Sequence, residues 1–147
     1  LVGSEMCIRD RLAIVAVQFA FAGDVITKDA KDLPLNARNF INQYFSKPQI
    51  SYIKIDSEFL SKKYEVTLTD RTEIDFDKKG NWTEVDCKKG AVPAALIPAS
   101  IKDYVKKNFP NEIITKIERK GTGIEVELAN DFSLKFNKKG QFVSMDD

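Results

Sequence analysis

Leu33-Pro34-Leu35-Asn36-Ala37-Arg38-Asn39-Phe40-Ile41 returns 64 positions later as Ile97-Pro98-Ala99-Ser100-Ile101-Lys102-Asp103-Tyr104-Val105. In both stretches an apolar residue and a proline open a segment whose apolar positions recur three and four apart, the spacing of one helix face. Proline at the start of a helix is cheap because its missing amide would have no partner there. The first stripe runs Ala37, Phe40, Ile41, Tyr44 and Phe45; the second runs Ile101, Tyr104, Val105 and Phe109, with Pro110 ending it.

Working outward, the correspondence passes through Ile50 and Ile53 onto Ile114 and Ile117, then continues at an offset of 60. Tyr64-Glu65-Val66-Thr67-Leu68 matches Ile124-Glu125-Val126-Glu127-Leu128, and Phe76-Asp77-Lys78-Lys79-Gly80-Asn81-Trp82 matches Phe136-Asn137-Lys138-Lys139-Gly140-Gln141-Phe142. The four-residue difference is expected in the loop Ser57–Lys63, where added length costs little. Each unit therefore reads as a helix followed by four strands. In the first unit these are Ile50–Asp56, Lys63–Thr69, Thr72–Asp77 and Asn81–Cys87. Alternation of Tyr64, Val66, Leu68, Ile74 and Phe76 with Glu65, Thr67, Glu73, Asp75 and Asp77 predicts a sheet with one buried and one wet face. The glycine closing each Lys-Lys-Gly turn predicts a tight hairpin. A short lead-in helix is expected in the link Lys88–Leu96. The expected fold is α+β: two tandem units, 23–87 and 88–147, joined edge to edge into about eight antiparallel strands with the helices on one face.

The 147 residues are 43% hydrophobic and 31% charged, enough apolar material for a core. With 23 basic and 22 acidic residues intermixed, no electrostatic footprint for nucleic acid is present. Histidine is absent, which removes the commonest general base and metal ligand. Cysteine occurs only as Cys7 and Cys87.

Leu12 to Ala22, LAIVAVQFAFA, reads as the apolar region of a signal peptide ending in a small-x-small cleavage pattern. Cleavage after Ala22 is expected, giving a periplasmic or secreted protein without a membrane anchor. The run is shorter than the roughly 20 residues a spanning helix needs. Residues 1–11, LVGSEMCIRDR, resemble translated sequencing adapter, so Cys7 is read as an artefact and Cys87 as an unpaired thiol with no disulfide partner.

Leu33-Pro34, Phe40-Ile41, Tyr64-Glu65-Val66, Glu73-Ile74-Asp75-Phe76-Asp77, Gly80-Asn81-Trp82, Val85-Asp86-Cys87, Val92-Pro93, Ile97-Pro98, Tyr104-Val105, Phe109-Pro110 and Glu125-Val126-Glu127-Leu128 together resemble the PepSY-like, β-lactamase-inhibitor-protein-like family of secreted proteins from Gram-negative gut bacteria. That resemblance implies a tandem fold with a concave antiparallel sheet, and it brings no settled activity. Two turns depart from the family pattern: Asp70-Arg71 stands where a glycine is frequent, and Thr122-Gly123-Ile124 replaces an aromatic residue.

No residue set reads as catalytic, and no cofactor or metal is expected. Asp75-x-Asp77-x-x-Gly80 has the spacing of a strand entering a hairpin rather than a calcium loop. The expected function is a non-enzymatic binding module, inhibitor-like in kind, that engages a protein through the open sheet face. Its candidate residues are Tyr52, Lys54, Glu65, Thr67, Glu73, Asp75, Trp82 and Glu84. Trp82 and Val85 have opposite parity in one strand, so one of them leaves the core face unless a bulge resets the register. The alternative is a carrier of a small molecule in a groove between sheet and helices.

Overall fold

The computed structural model describes residues 23–58 and 60–147; the expected signal peptide and the adapter-like stretch lie outside the described residues. The chain runs β1 (Asp24–Thr27), α1 (Leu35–Tyr44), β2 (Ile50–Glu58), β3 (Ser61–Leu68), β4 (Glu73–Phe76) and β5 (Trp82–Asp86). It continues through α2 (Ala99–Asn108), β6 (Ile114–Lys120), β7 (Gly123–Leu128), β8 (Ser133–Asn137) and β9 (Phe142–Asp146). The lead-in helix is a 3₁₀ turn at Ala94–Leu96, and a second such turn at Ala30–Asp32 precedes α1. All nine strands form one antiparallel sheet in the order β1-β2-β3-β4-β5-β6-β7-β8-β9.

The expected eight strands become nine because Asp24–Thr27 pairs along β2, with Val25 opposite Ile55 and Thr27 opposite Ile53. Four residues carry too short an alternation to stand out before the partner strand is known. The expected length difference does fall within Ser57–Lys63, but it takes the form of longer strands. β2 and β3 have 9 and 8 residues against 7 and 6 for β6 and β7. The first hairpin is longer by two residues in each arm.

Strand alternation sorts the sheet into rows of facing side chains. One row runs Ile53, Val66, Ile74, Val85, Ile117, Val126 and Leu134, each directly opposite the next on the neighbouring strand. Every member is fully buried. Ala37, Ile41 and Phe45 from α1, with Ile101 and Val105 from α2, join these residues in one core cluster, so both helices cover the same face. Each buried Val, Leu, Ile or Phe among them contributes about 1.5–3 kcal/mol relative to exposure.

Pro34 and Pro98 occupy the N-cap positions of α1 and α2, where no side-chain cap is made. What holds the start of α1 is the β4–β5 hairpin. Gly80 lies against it at φ +84°, and a Cβ there would come within 2.8 Å of Pro34 Cβ and 3.0 Å of the Ala37 nitrogen. Asn36 Nδ2 donates to the Lys79 carbonyl at 3.2 Å across the same contact.

Arg71 occupies the left-handed region at φ +74°, at the turn where a glycine is frequent in the resembled family. A non-glycine residue there costs about 1 kcal/mol or more. Arg71→Gly is expected to raise stability by about 0.5–1 kcal/mol, read as a higher denaturation midpoint; an unchanged or lower midpoint would show that the arginine side chain offsets the strain.

Candidate functional site

The face opposite the helices carries a second set of rows. Lys54, Glu65, Asp75, Glu84, Glu118, Glu125 and Lys135 face one another in succession across β2 to β8. Beside them run Tyr52, Thr67, Glu73, Asp86, Lys116, Glu127 and Ser133, ending on Asp146. Five carboxylates in unbroken sequence occupy the centre of the first row. Like charges directly opposite one another in a sheet are destabilising, so something must offset them.

Lysines do so. Lys63 Nζ lies 3.2 Å from Glu65 and 3.0 Å from Asp75; Lys54 reaches Asp24 at 3.4 Å and Glu65 at 3.9 Å. Lys116 contacts Glu84 at 3.3 Å, and Lys120 contacts Glu118 and Glu125 at 3.3 and 2.9 Å. Lys88 holds Glu73 and Asp86, each at 2.9 Å. The compensation is incomplete: burial raises the pKa of Asp75 despite Lys63. Burial likewise raises that of Glu84, where Lys116 opposes the shift and the neighbouring Asp75 and Glu118 charges add to it.

Tyr52, Lys54, Glu65, Thr67, Glu73, Asp75 and Glu84 line one shallow cavity of about 230 Å³ on this face, together with Val66. Seven of the eight sequence-derived candidates are thus brought together, and Tyr52 is the large side chain standing exposed among them. Parity placed them, because Ile53, Val66, Ile74 and Val85 point the other way.

Trp82 does not join them. It sits directly opposite Phe76 on the helix side, and the register shifts there so that Thr83 is the extra residue. The bulge lets both Trp82 and Val85 face the core. The indole stacks on Phe40 of α1, with ring centroids 6.0 Å apart and an interplanar angle of 29°. The Arg119 guanidinium of β6 lies over the ring at 4.5 Å.

Lys63, Glu118 and Glu125 were not singled out from the sequence, yet Glu118 and Glu125 complete the acidic row and Lys63 neutralises two of its members. Glu125 was legible, since it stands 60 positions after Glu65 in the matched motif; Glu118 and Lys63 needed the strand register. Asp77 is spent on its turn, accepting the backbone N–H groups of Lys79 and Asn81 at 2.9 and 3.0 Å. Burial alone would raise its pKa, but these hydrogen bonds hold it below the ordinary carboxylate value. Asn137 makes the same two bonds to Lys139 and Gln141, so the turn does not need a charge. Among the described residues no group of three or more Asp, Glu, Cys or His is placed to hold a metal ion. Cys87 is half-buried and unpaired, and burial pushes its thiol up to about 11, leaving little thiolate at neutral pH.

Three crystal structures share this fold closely. A Bacteroides vulgatus protein proposed to be periplasmic, of unknown function, is 39% identical, with a TM-score of 0.82 over 85% of this chain and 100% of its own. A Bacteroides thetaiotaomicron protein proposed to be a calcium-regulated periplasmic protein is 42% identical, with a TM-score of 0.81 over 86% of this chain and 99% of its own. A second B. vulgatus protein, also proposed to be periplasmic, is 36% identical, with a TM-score of 0.79 over 84% of this chain and 97% of its own. No curated protein matches significantly. Residues 62–144 match the family described as "Putative beta-lactamase-inhibitor-like, PepSY-like". Sheet, helices and sequence agree on that point: this chain belongs to the PepSY-like, β-lactamase-inhibitor-like family.

Proposed function

We propose that this is a periplasmic, non-enzymatic binding module that engages a protein through the open face of its sheet. The observation that carries this reading is the gathering of seven side chains from β2, β3, β4 and β5 around one hollow on an uncovered face. A rigid sheet supplies a preformed surface, and Tyr52 supplies the aromatic anchor that such interfaces favour. The two rows carry nine carboxylates against three lysines of their own. Three more, Lys63, Lys88 and Lys120, reach in from beside them, so the face keeps an acidic excess that a basic partner surface complements. Periplasmic residence is supported by the relatives and by the apolar leader ending at Ala22. The matched helix-and-strand order supports descent of both halves from one duplicated unit.

A photo-crosslinking residue placed at Tyr52 should yield a protein adduct in the periplasm, whereas the same residue at Lys107 on the exposed part of α2 should not. The yield of adduct should fall as salt rises, because the distance over which exposed charges attract, about 10 Å at 0.1 M, shortens with added salt. Equal labelling from both positions, or none from Tyr52, would overturn the reading.

The carrier reading keeps one observation in its favour. A cavity of about 260 Å³ opens between α2, the preceding 3₁₀ turn and β6, lined by Ile97, Val105, Phe109, Ile113 and Ile114 among others. A small apolar molecule retained through purification, detected by native mass spectrometry and lost on Val105→Trp, would move the function there.

A further inference from the structure

The buried row described above has one more member. Leu134 faces Met145 on β9, and there the row stops. Its seven inner members are fully buried, while Met145 is 47% exposed. The neighbouring row behaves alike: Phe142 sits opposite Phe136 and stacks on Tyr104 of α2 at 4.7 Å, yet remains 40% exposed. Val143, the extra residue of the β9 bulge, is 61% exposed. Three of the exposed large apolar side chains thus share one five-residue strand at the edge of the sheet.

β5 shows what such a strand looks like when it is covered. It also follows a Lys-Lys-Gly turn and also carries a bulge, and its Trp82 and Val85 take the places that Phe142 and Met145 take in β9. β6 then pairs with its outer side, putting Ile117 against Val85 and Arg119 over Trp82, and Val85 becomes fully buried. Phe142-Val143-Ser144-Met145-Asp146 contains neither lysine nor proline, the residues that commonly keep an edge strand from pairing.

We propose that β9 pairs with β9 of a second copy of this chain, antiparallel about a twofold axis normal to the sheet. That axis keeps the helix side of both copies on one side, so Phe142 and Met145 of each copy meet those of the other. Joining β9 to the opposite edge, β1, would not achieve this. The exposed apolar residue of β1 is Ile26, which faces Lys54 on the open side. Charge fits the twofold arrangement as well. Lys138 and Lys139 precede β9, Asp146 ends it, held by Lys135 of its own chain, and Asp147 follows, so antiparallel pairing sets each copy's turn lysines toward the other's acidic end. The interface is isologous and closes at two copies. It is small for a stable dimer, so association is concentration-dependent. Both open faces then lie side by side on the same surface.

The test is sedimentation velocity of the protein purified from the periplasm, over a concentration series. The mass should rise from one protomer towards two. Met145→Lys should raise the dissociation constant at least tenfold with an unchanged melting temperature, and Ile26→Lys should leave it unaltered. Lys138→Glu with Lys139→Glu, both on an exposed turn and without a bearing on folding, should also weaken association. A single-protomer mass at every concentration would overturn the proposal. So would a dimer that survives both the Met145 and the lysine substitutions, or one that is lost on Ile26→Lys.

Discussion

Gly123→Ala is expected to lower stability by about 3–5 kcal/mol, combining backbone strain with overpacking against a neighbouring strand. Gly123 opens β7 at φ +154°, a conformation close to exclusive to glycine, and faces Asn137 of β8. A Cβ at this position would stand 1.9 Å from the Phe136 carbonyl oxygen and 2.9 Å from Asn137 backbone atoms. These are backbone atoms in a ladder and cannot rotate away as a side-chain tip would. The strand pairing at the entry to β7 must open. Gly121, two residues earlier, has nothing within 4 Å of a built Cβ, so Gly121→Ala should stay within about 0.5 kcal/mol of wild type. Urea denaturation of the two variants beside wild type measures the contrast, and equal midpoints for both would contradict the geometry.

Trp82→Ala is expected to cost about 2–3 kcal/mol while leaving the Tyr52 crosslink unchanged. Full burial of a tryptophan would put the loss at about 3–5 kcal/mol, and Trp82 is only partly buried. It loses its stacking on Phe40 and the Arg119 contact, the latter contributing about 0.5–1 kcal/mol. Phe142→Ala, whose ring has α2 on one side and no strand on the other, should cost less, about 1 kcal/mol. A Trp82→Ala protein of wild-type stability that no longer crosslinked at Tyr52 would return the indole to the binding face.

The way Trp82 was resolved shows what the sequence carried and what it withheld. Period-two alternation placed Tyr52, Lys54, Glu65, Thr67, Glu73, Asp75 and Glu84 on one face, because that period holds wherever the ladder is regular. It could not place Trp82, since an extra residue at Thr83 breaks parity, and a bulge costs too little to leave a strong mark in composition. The helices were legible from Ala37, Phe40 and Ile41 and from Ile101, Tyr104 and Val105, whose spacing is unambiguous. β1 was not, because its four residues become a strand only through pairing with β2. The acidic row was hidden for the same reason. Glu65, Asp75, Glu84, Glu118 and Glu125 are far apart in the chain, and only the strand register sets them in line.

The strand order has a consequence for how the protein comes into being. Each strand lies beside the one synthesised before it, so no strand has to be inserted between two that are already paired. Such an arrangement can grow from β1 onward as the chain emerges from a channel, each new strand finding its template already in place. The sheet needs no late arrival from the far end of the chain to close it. A chain interrupted after β5 would carry α1 and the first five strands in their final order, and would expose the edge that β6 would next have taken.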